Sequence, residues 1–409
     1  MEPLSKSENA PRRYRCAIIS TYFENVGDDL IRIGVMHLLR EAYGGLPRFC
    51  HISKGNPLSV YLPLTWLSHS PRWRRSRAIR AIMDAGYWTT EHMPLKERLD
   101  KVRQSDLVVI AGTPIIYMVS GHSFLSDPWA SEVFKKRLKN ISDKPLISLG
   151  IGSILEDDEQ RLTDGWPDEM AFLKEFVDRN NLITTRDRIT QDLLVSLAPE
   201  RKGKVIESVC PSLWASESLG IARNEKSLDG NLIGLSFSVE SSNWDSKPHR
   251  SADARRHSAD LIVGHLLKRH RDVRLICHNE IDYDVQKEIA AAHGLQKPLV
   301  ASARSMLECL SGARAAITWR IHGAIGALSL GVPALLFKTD SRWETAERLG
   351  ATTWKDDSQD VGTLLQLIDD FIMAAPDRSV ALSNFVREKR QREEAKIVEA
   401  IRRANPIAP

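Results

Sequence analysis

The segment Ala315–Pro333 constrains the fold more than any other stretch of this 409-residue chain. It opens with a short apolar run, Ala315-Ala316-Ile317-Thr318-Trp319, that ends in Arg320, and His322 comes two residues later. A helix of almost only small and aliphatic residues follows, Gly323-Ala324-Ile325-Gly326-Ala327-Leu328-Ser329-Leu330. Gly331 is placed to stop that helix, because glycine takes the left-handed C′ conformation without steric cost. Val332-Pro333 then leads into a second apolar run, Ala334-Leu335-Leu336-Phe337. The pattern reads strand, loop, buried helix, strand, with the polar residues gathered at the carboxyl end of the first strand. Open α/β sheets bind ligands at that edge, and a helix N-terminus there favours anions. Arg320 and His322 therefore mark the expected place of a negatively charged ligand.

Similar units recur along the chain. Arg15–Ser20, Leu107–Gly112, Leu146–Gly152, Leu182–Asp187, Asn231–Phe237 and Val273–Cys277 read as strands, and the near-continuous apolar runs Leu107–Gly112 and Leu146–Gly152 as parallel strands covered on both faces. Helical spacers separate them. The alternation predicts an α/β protein with two Rossmann-like domains facing a cleft. The N-terminal one is expected over 14–215, a linker over 216–230, the C-terminal one over 231–375, and a charged helix over 376–409. After the first strand, Asn25, Gly27 and Asp28 fall at a strand-to-helix turn, where Asp28 or Asp29 can cap a helix running to about Tyr43. Gly150-x-Gly152 lacks a third glycine and precedes Glu156, Asp157 and Asp158, which would repel a pyrophosphate, so it is no dinucleotide fingerprint. Arg186-Asp187 reads as a structural tie between strand end and helix start.

Residues 56–94 interrupt this rhythm. Tyr61, Trp66, Trp73, Tyr87 and Trp88 interleave there with Arg72, Arg74, Arg75, Arg77 and Arg80. The segment suits either a helical cover with solvated arginines or peripheral contact with a membrane or glycan. A net charge of +4, from 57 basic and 53 acidic side chains, is too small for a nucleic-acid platform. No apolar run reaches the roughly 18 residues a membrane span needs. Met1–Arg15 is polar and basic without an apolar stretch, so no signal peptide is expected. The five cysteines, widely spaced and odd in number, read as thiols of a reducing cytoplasm. No histidine pair has a zinc-site context, and no metal site is expected.

Two of these motifs, Arg320-x-His322 with its small-residue helix and Gly331-x-Pro333, and Asn25-Val26-Gly27-Asp28 with its helix, together resemble the polysaccharide pyruvyl transferases. The resemblance spans about Tyr14 to Gly350. It implies a GT-B-like fold and transfer of a pyruvyl group from phosphoenolpyruvate to two sugar hydroxyls as a cyclic ketal. It implies no cofactor beyond that donor, a sugar or lipid-linked glycan acceptor, and a place in the cytoplasm or at the inner face of its membrane. Phosphoenolpyruvate carries a phosphate and a carboxylate, for which arginine's planar fork is suited. Arg320 and Arg342 are expected to converge on it, with backbone N–H groups near Gly323, while Asn25 and Gly27 line the facing edge. His322 would act as general acid or phosphate partner, and Asp28 as base for a hydroxyl. Relatives often carry an arginine at the end of the strand opening the second domain. Here Leu235-Ser236-Phe237-Ser238 has none before Arg250, so Lys247 or Arg250 reaches back or the donor site differs. The alternatives are a nucleotide-sugar glycosyltransferase, with Glu344 or Glu347 on the ribose, and a non-catalytic glycan-binding relative.

Overall fold

The computed structural model describes residues 14–21, 25–44, 47–53, 102–112, 114–119, 122–126, 144–155, 166–225, 230–238, 252–278, 282–338, 342–355 and 361–405. The 56–94 segment, Glu156–Asp158, Lys247 and Arg250 lie outside them.

The first half contributes strands β1 (Arg15–Ser20), β2 (Arg48–Ser53), β3 (Leu107–Ala111), β4 (Pro114–Val119), β5 (His122–Ser123), β6 (Leu146–Leu155), β7 (Leu182–Thr185) and β8 (Val205–Glu207). Among the described residues its helices are α1 (Val26–Ala42), α2 (Pro167–Arg179), α3 (Arg188–Leu197) and α4 (Ala215–Ser218). Strands β2-β1-β3-β6-β7-β8 pair in that order and all in parallel. The far end of β6 also pairs with β4, which carries the antiparallel β5. The strand order reverses between β1 and β3, which places a crevice at their carboxyl ends, where Asn25 and α1 follow β1.

The second half contributes β9 (Leu232–Ser236), α5 (Ala252–Lys268), β10 (Asp272–Cys277), α6 (Tyr283–Ala292), β11 (Leu299–Val300) and α7 (Ala303–Ser311). It continues with β12 (Ala315–Thr318), α8 (Ile321–Ser329), β13 (Ala334–Lys338), α9 (Trp343–Glu347), β14 (Thr352–Lys355), α10 (Val361–Met373) and α11 (Ala375–Ala404). The order β11-β10-β9-β12-β13-β14, again parallel throughout, is the doubly wound arrangement with its switch between β9 and β12. The Arg320-x-His322 motif thus begins at the topological switch point of the second sheet. The fold is α/β and GT-B-like, two Rossmann-like sheets facing a cleft.

A continuous apolar core joins the halves. Val26, Leu30, Ile31 and Val35 of α1 belong to the same buried cluster as Met306, Leu307, Ile325 and Leu328. A Cβ on Gly34 would lie 1.7 Å from the Pro211 carbonyl oxygen, so only glycine lets α1 lie against the Pro211–Trp214 turn. Ser216–Ser218, expected in the linker, instead complete the short helix α4, and Ser216 Oγ donates to the Ser329 carbonyl at 3.1 Å. The charged C-terminal helix crosses back to the first half. Its Leu382, Val386, Ile397 and Ile401 are buried, the His37 ring meets Glu394 at 3.1 Å, and Arg402 Nε donates to the Ala42 carbonyl at 2.8 Å. Among the described residues no helix is long and apolar enough to cross a membrane.

Candidate functional site

The turn after β12 is held from both sides. Trp319 stacks on Phe337 with ring centroids 3.9 Å apart and meets Phe237 edge-on at 4.7 Å. The Thr318 hydroxyl accepts the Arg320 N–H at 2.8 Å, a local turn that swings the chain into α8. Arg320 occupies the N-cap position with extended backbone, and its carbonyl accepts N–H groups of Gly323 and Ala324 at 2.9 and 3.2 Å. The Gly323 N–H is therefore engaged inside the helix. Gly323 instead provides room: a Cβ there would lie 2.8 Å from Thr318 Oγ1 and 3.2 Å from His278 Nε2. At the far end Gly331 has φ +72°, and the Gly331 and Val332 N–H groups bond back to Leu328 and Ala327, closing a Schellman motif.

The facing wall comes from the first sheet. The cap of α1 is Asn25, whose Oδ1 accepts the Gly27 N–H at 2.9 Å. Asp28 and Asp29, expected as caps, lie within the first turn, buried; Asp29 pairs with Arg32 at 2.6 Å. All three residues are good caps by type, and Asn25, the first of them, takes the position. The Val26 N–H donates across the cleft to the His278 carbonyl at 3.2 Å, joining α1 to the end of β10. One residue on, a Cβ at Gly27 would sit 2.2 Å from His322 Nδ1. Asn-x-Gly thus has a physical reading: the asparagine caps, and the glycine lets the imidazole approach. Asp28 follows in the same turn.

Arg186, at the end of β7, completes the cluster, while the tie between strand end and helix start expected of the Arg186-Asp187 pair is made by Asp187. Asp187 does cap α3 through the Thr190 N–H at 2.7 Å. Arg186 turns away, with 1% of its surface exposed, over Gly152, where a Cβ would lie 2.1 Å from its Nε. Its Nη1 lies 3.4 Å from His322 Nε2. Arginine only donates, so that ring nitrogen is the acceptor and the neutral imidazole carries its proton on Nδ1. Arg186 Nε and Nη2 are buried without a hydrogen-bond partner among the described residues, as are Arg320 Nε and His278 Nε2. Arg320 is ion-paired through Nη2 to Asp282, itself 0% exposed.

Burial pushes the His322 pKa well below its usual value, and Arg186, Arg342, His278 and Arg320 push it further. Burial, then Arg320, lower His278 to about 3. Both rings are therefore held neutral at pH 7 by their surroundings. Buried guanidinium N–H groups without acceptors are costly, and a bound oxyanion is the chemical complement of such a cluster. Arg342, at the start of α9, contributes charge to it. Glu347 faces elsewhere, accepting from Thr353 Oγ1 at 2.8 Å. Among the described residues no three histidine, cysteine or carboxylate side chains gather as metal ligands.

The structure so brings Asn25, Gly27, Arg320, His322 and Gly323 together, with Asp28 in the adjoining turn and Arg342 within electrostatic reach. Arg186, His278 and Asp282 were not foreseen. Arg186 and His278 obey the rule that selected Arg320, since each follows the carboxyl end of a parallel strand.

A scan against protein families matches the polysaccharide pyruvyl transferase model over residues 25–341, from the α1 cap to beyond the second motif. No curated protein matches the chain. Among solved structures, the S. aureus MnaA–UDP co-structure superposes with TM-score 0.56 at 11% identity, covering 97% of this chain and 98% of that one. The trehalose-6-phosphate synthase OtsA gives 0.52 at 9% identity, covering 97% and 100%. Anabaena HepE in complex with UDP-glucose gives 0.50 at 11% identity, covering 96% and 100%. At such identities the likeness concerns the fold alone. With its family model spanning both motifs and most of the chain, the protein is a transferase that belongs to the polysaccharide pyruvyl transferase family.

Proposed function

We propose that the protein transfers the pyruvyl group of phosphoenolpyruvate onto two hydroxyls of a sugar, in a polysaccharide or its lipid-linked precursor. The observation that carries this reading is the set of buried, unpartnered donors around His322: Arg186 Nε and Nη2, and Arg320 Nε. A donor bearing both a phosphate and a carboxylate supplies acceptors for two planar guanidinium forks. Arg342 adds long-range charge.

The reaction balances on the protons of the diol. The enol carbon is protonated, the neighbouring carbon takes oxocarbenium character, and the first hydroxyl oxygen bonds to it. The carbon–oxygen bond to phosphate breaks, and the second hydroxyl closes the ketal. Of the two hydroxyl protons removed, one replaces that given to the methyl carbon and the other leaves on phosphate. Burial and the neighbouring arginines hold His322 neutral, so it must gain a proton before it can give one. The negative donor offsets the arginines around the ring and favours the imidazolium, which then protonates the enol carbon. Asp28, in the turn that abuts His322, receives a proton from a hydroxyl. Asn25 fixes that turn, and Gly27 and Gly323 keep the backbone close without obstructing the imidazoles.

The test is phosphate release from phosphoenolpyruvate that depends on an added glycan, alongside a thermal-shift comparison of phosphoenolpyruvate, UDP and GDP. Stabilisation by phosphoenolpyruvate with glycan-dependent phosphate release supports the proposal. Stabilisation by a nucleoside diphosphate, with no response to millimolar phosphoenolpyruvate, would replace it with a nucleotide-sugar glycosyltransferase.

A further inference from the structure

Asp282 stands at the N-cap position of α6, where an aspartate ordinarily bonds an amide of its own first turn. It makes no such cap bond. Its carboxylate goes instead to Arg320 Nη2, on the far side of the switch point. The placement is fixed from below. Gln286, fully buried one turn on, takes the Asp282 carbonyl through its backbone N–H at 3.1 Å. The Gln286 side chain donates to the Phe237 carbonyl at 3.0 Å and accepts from Cys277 Sγ at 3.0 Å. The turn bearing Asp282 is thereby bolted to the ends of β9 and β10.

We infer that Asp282 is the positioning residue of Arg320, rather than a stand-in for ligand on it: it grips the guanidinium by Nη2, keeps the Nε–H toward the donor, and offsets part of the charge that would retain the phosphate product. A stand-in would have to leave when ligand arrives, and a carboxylate with no solvent exposure on an anchored turn is ill placed to do so. A fixed carboxylate behind the arginine has two consequences. It makes the fork rigid, so that its remaining donor meets a developing oxyanion without reorganising. It also weakens the clamp on free phosphate, which must dissociate in every cycle.

This inference rests on the pyruvyl-transfer reading, and the experiment separates the two. Asp282→Asn keeps the shape and removes the charge. With phosphoenolpyruvate and glycan as substrates, kcat is expected to fall about tenfold or more while KM for phosphoenolpyruvate stays level or falls. Calorimetry with inorganic phosphate alone should show binding tightened by roughly tenfold, as a like-signed neighbour of the anion has gone. In an Arg320→Gln background Asp282→Asn should change neither quantity further, because the carboxylate acts through the arginine. A variant with wild-type kcat and wild-type phosphate affinity overturns the inference. So does one whose only change is a lower melting temperature, or one whose effect persists in the Arg320→Gln background. Should the wild type itself fail to turn over phosphoenolpyruvate, the functional reading falls, and the phosphate titration still decides whether Asp282 tunes Arg320.

Discussion

Acidification from pH 7.5 to 5.0 is expected to loosen this protein through two histidines buried without charge. The unfolded chain protonates a histidine near pH ~6.5. In the folded protein His278 is held at about 3 by burial and by Arg320, and His322 is also held well below its ordinary value. Both folded pKa values are depressed, so their contribution to stability is fully present above pH ~6.5 and is lost as pH falls toward the folded values. At pH 5.0 the unfolded pKa lies about 1.5 units above the solution, and at roughly 1.4 kcal/mol per unit His278 alone removes about 2 kcal/mol. His322 adds a loss of the same sign. The assay is urea unfolding followed by tryptophan fluorescence at both pH values, for wild type and for His278→Gln. Glutamine does not titrate and leaves in place the backbone carbonyl that accepts the Val26 N–H. The variant should lose about 2 kcal/mol less than wild type between the two pH values. An equal loss in both proteins would refute the placement of His278 as a neutral, desolvated ring.

Gly27→Ala should lower the melting temperature and donor affinity together, with a cost of about 1–3 kcal/mol from overpacking, because Arg186 bounds the imidazole on its other side. Arg320→Ala should weaken phosphoenolpyruvate binding by roughly 2–5 kcal/mol, as it also strands Asp282, and Arg320→Lys should recover only part, having charge without the fork. His322→Ala should keep much of the donor binding yet lower turnover by about 10²–10⁴-fold, and a folded variant at near wild-type rate would remove His322 from the chemistry. Donor binding should take up a proton at His322, so affinity rises as pH falls; calorimetry at one pH in two buffers of different ionisation enthalpy would show uptake, and equal heats would count against it.

The strands were legible because parallel strands covered on both faces must be apolar along their whole length, as in Leu107–Ala111 and Ala315–Thr318. The place of Arg320 and His322 followed from strand-end position alone. Asn25, Asp28 and Asp29 compete for one cap by residue type, and residue type alone does not decide among them. Arg186 was visible as a strand-end residue, yet Asp187 already explained the dipeptide as a cap; which way an arginine turns depends on what lies across the cleft. The His322 pKa was hidden for the same reason, since after burial the largest cause of its depression is Arg186 of the other sheet. The return of α11 was diluted rather than absent. Leu382, Val386, Ile397 and Ile401 keep a helical spacing, but the stripe also carries Glu393, a buried carboxylate that accepts from Ser208 at 3.4 Å.

The two switch points make a single site because each sheet supplies what the other lacks. The second sheet brings Arg320 and His322 on a turn locked by Trp319, Thr318 and Gly331, while the first brings Arg186 and the glycine against which His322 rests. Arg186 Nε and Nη2 and Arg320 Nε are buried in the closed cleft without hydrogen-bond partners among the described residues, and such donors oppose closure. An anion that accepts from Arg186 and Arg320 at once removes this opposition, so its binding free energy and the closing of the cleft are linked. The apolar contacts of α1 with α7 and α8 hold the halves in register before any ligand arrives, which leaves the anion to set only the last, electrostatic part of the fit. A ligand that reaches one arginine but not the other has no such leverage. If the proposed donor phosphoenolpyruvate binds there, the span between its phosphate and carboxylate, more than its total charge, is what the cleft would select.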